Sequence, residues 1–169
     1  NTIGHHFDYN DILIASSLQI IKYLNIQIDR IENEITSIMN ELDSPIVSIP
    51  GISVISAASI IGEFGDFSRF DNSKKLCAFC GVEPAIYQSG TSYHEGRMVK
   101  HGSPTLRRTL FNIIPYINMH NQTFREFYYK KRSEGKPHRV AQSHVVKKLL
   151  RVIYTLEMTR QNFDPSKLY

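Results

Sequence analysis

The sequence predicts a mainly α-helical protein, with a long N-terminal coiled-coil helix followed by a small helical domain. Between Leu24 and Leu42 the apolar residues recur at alternating steps of four and three, which is the spacing of a coiled coil. Ser103-Pro104 forms a clear helix start, because Ser is a favoured N-cap and Pro a favoured first helical residue. No stretch shows the strict alternation of apolar and polar residues that indicates a half-buried strand. We therefore expect an all-α fold, with a coiled coil over residues 1–44 and a helical domain over residues 45–165.

The predicted N-terminal helix covers residues 8–43 and carries a continuous apolar seam. Such a seam is typical of helices that pair with a second copy, so it predicts a homodimer or homotetramer. The alternative is a helix that packs on its own domain. The seam consists of Ile14, Ser17, Ile21, Leu24, Ile28, Ile31, Ile35, Ile38 and Leu42.

Residues 46–65 have the pattern of a helix-hairpin-helix. Gly51 permits a tight turn between two short apolar segments, and the second helix is expected to start near Ser53. Free N–H groups at a helix start can hold a DNA phosphate without reading base sequence. Gly51, Ile52 and Ser53 are therefore candidate nucleic-acid contacts, although a plain turn between two helices also favours Gly.

The net charge of +4 conceals a strong asymmetry along the chain. Residues 1–96 carry 5 Lys and Arg against 12 Asp and Glu, a net charge of −7, whereas residues 97–151 carry 13 against 2, a net charge of +11. A block of positive charge favours a polyanion as the partner, since ordinary helix surfaces mix charges of both signs. The basic helices expected over residues 104–161 therefore favour a nucleic-acid partner.

Residues 87–103 form a polar segment rich in Ser and Gly, which we expect to be an irregular loop. It leads directly into the helix that starts at Pro104, so its Ser, His and Lys side chains would be held by a rigid element. Functional groups on a loop of this kind are typical of a catalytic or binding site.

Cys77 and Cys80 form a single C-x-x-C pair without a second pair of metal ligands at a suitable spacing. We expect no metal site and two small, buried residues on a helix of a cytosolic protein. No apolar run approaches the roughly 20 residues of a membrane span. Because residues 1–11 lack an apolar h-region, we expect no signal peptide there. Because the chain starts at Asn1, we expect it to be part of a longer protein.

An ordered set of motifs carries a resemblance to a known family. The motifs are Pro50-Gly51-Ile52-Ser53, Gly65-Asp66, Arg69-Phe70, Gly81 with Pro84, Ser89-Gly90, Gly96, Lys100, Gly102 and Leu106-Arg107. Over residues 46–120 the sequence resembles the C-terminal domain of the insertion-sequence 110/116/902 transposases. Each motif is weak by itself, whereas their order and spacing are specific.

The resemblance implies a recombinase that moves DNA through a catalytic serine and a structured guide RNA. It also implies an upstream RuvC-like domain whose acidic residues bind a divalent metal such as Mg²⁺, so no cofactor is expected in this chain. By itself the chain is expected to be inactive. The full protein is expected in the cytoplasm, at the nucleoid when it is bound to DNA.

The resemblance identifies Ser89 as the nucleophile, in the sequence Tyr-Gln-Ser-Gly. Ser92 is a competing nucleophile, and His94 and His101 are candidate bases or phosphate donors. A serine that attacks a phosphodiester needs cations beside the phosphate. The candidates for that role are Arg97, Lys100, Arg107 and Arg108.

Two other functions remain open at this point. One is a non-catalytic helix-hairpin-helix module for DNA binding and oligomerisation, which would need no serine at position 89. The other is a structural helical oligomer, which would lack salt-dependent DNA affinity.

Overall fold

The computed structural model describes residues 8–82, 84–89, 92–98 and 101–167, with side chains for residues 11–82 and 101–167. The described residues form six α-helices, three short 3-10 helices and one antiparallel pair of strands. The predicted mainly helical class is confirmed. The bounds are α1 Asp8–Leu42, α2 Val54–Phe64, α3 Ser73–Cys80, β1 Pro84–Ser89, β2 Ser92–Met98, α4 Pro104–His120, α5 Gln122–Ser133 and α6 His138–Thr159.

The chain divides into two compact units, residues 1–41 and residues 42–169. The first unit consists of α1, whose bounds agree with the predicted helix over residues 8–43. In the single chain the predicted seam is open to solvent: Leu24 and Ile28 are each 51% exposed and Ile38 is 62% exposed.

The core of the second unit forms where α6 packs against α3, α4 and α5. The predicted apolar stripe of α4 is confirmed, since Leu106, Leu110 and Ile117 are fully buried and Ile113 is nearly so. Pro115 lies on an exposed side inside α4. From α6, Val145 and Leu149 complete the same core.

The segment before α2 differs from the predicted helix-hairpin-helix. Its first element is a 3-10 helix, Pro45–Ser48, capped by Ser44. Proline cannot continue a helical hydrogen-bond ladder, and Pro50 follows closely, so the segment is too short for an α-helix. The second helix starts as predicted, with Ser53 as the N-cap of α2.

Residues 87–103 also differ from the sequence expectation, because much of this segment is β-structure rather than irregular loop. The strands Pro84–Ser89 and Ser92–Met98 pair in antiparallel fashion, with an irregularity between Pro84 and Ile86. The many Ser and Gly residues hid a hairpin signal: the strands are separated in sequence by Gly90-Thr91, and two-residue connections with Gly are typical of hairpins.

The two cysteines lie on α3, whose N-cap is Asn72. Both are buried, as predicted, and burial raises the pKa of the Cys80 thiol far above its ordinary value. Among the described residues, no three His, Cys, Asp or Glu side chains lie close enough to hold a metal ion. No described helix combines the length and apolar character needed to cross a membrane.

Candidate functional site

The β-hairpin leaves the helical domain and returns to it at almost the same point. Before β1, the Val82 amide donates to the Cys77 carbonyl at 3.1 Å, at the end of α3. After β2, the Ser103 amide donates to the Phe79 carbonyl at 3.2 Å, on the same helix. Both ends of the hairpin segment are therefore fixed to the C-terminal turn of α3.

Gly102 makes this close return possible. Its φ is +130°, and a Cβ atom added there would lie 2.1 Å from the Phe79 carbonyl oxygen and 3.0 Å from the Gly81 amide nitrogen. Real Cβ atoms do not approach other atoms within 3.0 Å, and a side chain at this φ is strained in any surroundings. The glycine is therefore required by both space and backbone conformation.

Ser103 joins the hairpin segment to α4 and also to α2. Its hydroxyl accepts from the Leu106 amide at 3.1 Å, which caps α4, and donates to the Glu63 carboxylate at 2.5 Å. The carboxylate thus lies at the N-terminus of α4, where negative charge interacts favourably with the helix dipole.

Arg107 and Arg108 stand in the first turn of α4, at the unfavourable end of the helix dipole. The structure supplies a compensating partner for Arg107, whose guanidinium donates to the Cys80 carbonyl at 3.2 Å. That carbonyl belongs to the C-terminus of α3, where a cation is stabilising. Arg108 is exposed.

Ser89 is the last residue of β1, and its partner across the hairpin is Ser92, the first residue of β2. Further along the strands, Tyr87 pairs with His94. The two candidate nucleophiles are therefore direct backbone partners. Arg97 lies within β2, and Lys100 lies outside the described residues.

His101 is exposed and lies at a shallow cavity of about 530 Å³ beside the hairpin return. Arg69 also lines this cavity, with its guanidinium 4.8 Å from the centre of the Phe70 ring and 5.3 Å from that of Phe79. Stacking of this kind holds the Arg69 cation at a fixed place on the surface.

The turn before α2 lies away from this region. Gly51, with φ +96°, packs on the backbone of α4, where an added Cβ would lie 2.7 Å from Ile117. Arg107 precedes Ile117 by ten residues, or about 15 Å along the helix axis. The structure thus separates the predicted hairpin contacts from the cations at the start of α4.

Within that turn the three predicted contacts differ in accessibility. Ile52 is 7% exposed, and its amide donates to the Ile49 carbonyl at 3.1 Å. Ser53 is exposed, but its hydroxyl accepts from the Ser56 amide at 3.1 Å as the helix cap.

Comparison with known proteins identifies the family to which the chain belongs. The transposase IS116/IS110/IS902 family matches residues 43–129, just over half of the chain. The chain belongs to this family. The match spans the turn before α2, the β-hairpin, α4 and most of α5.

Curated relatives extend the similarity beyond that range. A 43.6 kDa protein of insertion element IS110 from Streptomyces coelicolor is 24% identical over 86% of this chain and 36% of its own length. The pilin gene-inverting protein of Moraxella bovis is 27% identical over 92% of this chain and 49% of its own length. The transposase of IS1111A from Coxiella burnetii is 33% identical over 43% of this chain and 20% of its own length. The chain therefore spans between about a third and a half of the first two relatives.

Sequence reasoning missed two residues that shape the site. Glu63 binds Ser103 from 40 residues away, and Arg69 stacks on Phe79 from the neighbouring helix. Glu63 has no local pattern that distinguishes it from an ordinary surface charge, whereas Arg69 belongs to the Arg69-Phe70 motif but had been given no role in the site.

Proposed function

We propose that this chain is the part of a DNA recombinase that binds DNA and supplies Ser89 as the nucleophile for strand cleavage and exchange. The observation that carries the proposal is the hairpin register together with the family. Ser89 ends the first strand of a hairpin whose two ends are fixed to α3, and it pairs directly with Ser92 at the far end of that hairpin.

In the proposed reaction the Ser89 hydroxyl loses its proton to a base and its oxygen attacks a DNA phosphorus. A phosphoserine ester forms, the phosphodiester bond to the leaving nucleotide breaks, and the leaving hydroxyl takes up a proton. Attack on the ester by a hydroxyl of another strand would reverse these bond changes and release the serine. The exchange conserves the number of phosphodiester bonds.

The charges proposed to neutralise the phosphate are those of Arg97, Lys100, Arg107 and Arg108. The fixed position of Arg107 supports this, since preorganised cations stabilise a developing negative charge without reorganisation. His94 and His101 are proposed as bases or phosphate donors, and His101 is exposed to solvent.

We propose DNA-backbone contact for Gly51, Ile52 and Ser53, with Ser53 as the accessible member of the three. DNA is the proposed substrate and a structured guide RNA the proposed partner. A divalent metal is proposed to act outside this chain, in an upstream domain.

We further propose that α1 assembles a homodimer or homotetramer as a coiled coil. The exposure of its seam supports this, because Leu24, Ile31 and Ile38 are all more than half exposed in the single chain. Apolar seams of this length are stable when another helix covers them.

The experiment that tests the catalytic proposal uses the full-length protein with its RNA and a DNA substrate labelled at the cleavage junction. We expect a covalent protein–DNA adduct that mass spectrometry maps to Ser89 and that Ser89→Ala abolishes. Ser92→Ala is the matched control, since it removes the same hydroxyl from the paired position and should retain the adduct.

An adduct on Ser92 would show that the nucleophile is Ser92, on the neighbouring strand, and not Ser89. Full strand exchange by Ser89→Ala without any adduct would refute the catalytic proposal and favour the alternative, a non-catalytic module for DNA binding and oligomerisation.

A further inference from the structure

A second cationic groove lies between α5, α6 and the segment that follows α6. Its volume is about 420 Å³, within the range of pockets that hold small ligands. None of the residues named so far as DNA contacts lines it. One wall is the α6 face that carries His144, Lys147, Lys148, Arg151 and Thr155.

The opposite wall is held in place by the domain itself. The Phe163 amide donates to the Ser48 hydroxyl at 2.8 Å, which fixes the segment after α6. Asp164 accepts from the Ser166 amide and hydroxyl at 2.9 and 2.7 Å, which stabilises the last turn. The groove is therefore built between a helix and a tethered segment.

The groove is strongly positive. Lys147, Lys148, Arg151 and Lys167 line it, against the single carboxylate of Asp164. In the part of the chain that the structure describes, neither Lys147 nor Arg151 has a carboxylate within ion-pair distance. The surroundings lower the pKa of His144, first through burial and then through Lys131, Lys147 and Lys136, as expected in a field of positive charge.

The floor of the groove is apolar and includes an aromatic ring. Phe127, Val152, Leu156 and Phe163 line it. The Lys148 ammonium lies 4.8 Å from the centre of the Phe127 ring. The Lys131 ammonium also lies over this ring, at 5.6 Å, so a base would contact the apolar lining rather than stack on Phe127. Cations beside an apolar lining can receive a nucleotide, which joins a phosphate to a flat, weakly polar base.

We infer that this groove binds an unpaired nucleotide of a single-stranded nucleic acid, with its phosphate at Lys147 and Arg151 and its base on the apolar floor. The inference rests on the proposed function for the class of partner. A stacked and paired base inside a duplex cannot enter a concave pocket, whereas a base in a single strand can. The groove is thus selective for single strands over duplexes, rather than a general surface for DNA.

The test uses Thr155→Trp, which fills the groove from an exposed position of α6 and leaves its charge unchanged. The matched control is Met158→Trp, at an exposed position of the same helix that does not line the groove. Fluorescence anisotropy would measure the affinity of the chain for labelled oligothymidylate, oligouridylate and a DNA duplex.

We expect Thr155→Trp to weaken binding of the single strands about tenfold or more, since the larger side chain occupies the space of the base and removes its contact with the groove. Duplex affinity and the Met158→Trp control should be unchanged. The loss of affinity for oligothymidylate is then compared with that for oligouridylate, and the larger loss shows whether the groove prefers DNA or RNA.

A second pair of variants tests the phosphate contact. The double variant Lys147→Gln with Arg151→Gln should flatten the slope of log K against log salt concentration for single-strand binding. The expected change is about 0.7 for each lost phosphate contact. Lys22→Gln with Lys74→Gln removes the same charge from exposed positions outside both the groove and the basic block of residues 97–151, and should leave that slope nearly unchanged.

Equal weakening of duplex and single-strand binding by Thr155→Trp would overturn the inference. Unchanged binding of both oligothymidylate and oligouridylate would also overturn it. The Ser89 adduct experiment reads out independently, because it detects a covalent bond at Ser89, whereas anisotropy measures the equilibrium affinity of the groove. A failed adduct experiment together with selective loss in Thr155→Trp would refute the catalytic proposal alone.

Discussion

Replacement of Gly102 by alanine tests whether the hairpin is clamped where the structure places it. The added methyl group would lie 2.1 Å from the Phe79 carbonyl oxygen, against 3.4–4 Å for ordinary contact. Relief of this clash requires the backbone to move by more than 1 Å, which breaks the 3.2 Å bond from the Ser103 amide to the same oxygen. The change therefore acts on the junction itself.

The magnitude follows from three contributions. Backbone strain at φ +130° costs about 1–3 kcal/mol, and loss of the hydrogen bond costs about 1 kcal/mol. The lower entropy of the unfolded alanine chain offsets about 0.4–1 kcal/mol. We expect a net loss of about 1–3.6 kcal/mol in the free energy of unfolding.

Urea unfolding followed by circular dichroism measures this loss, and amide exchange at Ser103 and Leu106 locates it. Gly135→Ala is one matched control, because Gly135 has φ +80° with no atom within 4 Å and so isolates the strain. Gly62→Ala is the other, since Gly62 lies inside α2 with open space around it and alanine there should stabilise by about 0.5–1 kcal/mol. If Gly102→Ala cost no more than Gly135→Ala and left both amides protected, the clamped junction would be refuted.

Three further predictions concern the rest of the described chain. Ser103→Ala should reduce the free energy of unfolding by about 1–2 kcal/mol. The loss should exceed that of Ser53→Ala at the cap of α2, because Ser103→Ala also deprives Glu63 of its partner. Equal losses in urea unfolding would contradict a role for Glu63. Cys77 and Cys80 should resist alkylation at pH 8 until urea unfolds the chain, because both are buried and the raised pKa keeps the Cys80 thiol protonated; rapid labelling of the folded chain, followed by mass spectrometry, would refute this. Ile28→Asn with Ile31→Asn should dissociate the proposed oligomer in sedimentation experiments, whereas Asn25→Ala off the seam should not; an unchanged mass in the first variant would exclude the seam as the interface.

Helix starts could be predicted because a cap is a local feature. Ser53, Asn72 and Ser103 each bind an amide within three residues, so the sequence contains both partners of the contact. The long helix α1 could be predicted for the same reason, since its apolar residues repeat at every turn along one helix.

The hairpin and the cationic groove could not be predicted in this way. The hairpin was hidden because Ser and Gly outweighed the strand-favouring Ile86, Tyr87 and Tyr93 in the reading of the segment. The groove joins Phe127 of α5 to Phe163 beyond α6. The packing of α5 on α6 and the bond from Phe163 to Ser48 bring them together. Its position depends on tertiary contacts that no short motif encodes.

Because the Val82 and Ser103 amides both bind carbonyls of α3, the β-hairpin is an excursion that starts and ends at one place on the helical domain. Because its two ends are fixed to α3, such a hairpin can change in length or sequence without a change in the helices that hold it. Selection on cleavage chemistry and selection on folding would then act on different residues of the same domain. Within the family, selection for cleavage would then hold Ser89 in the hairpin, while selection for folding would hold Gly102 at the α3–α4 junction.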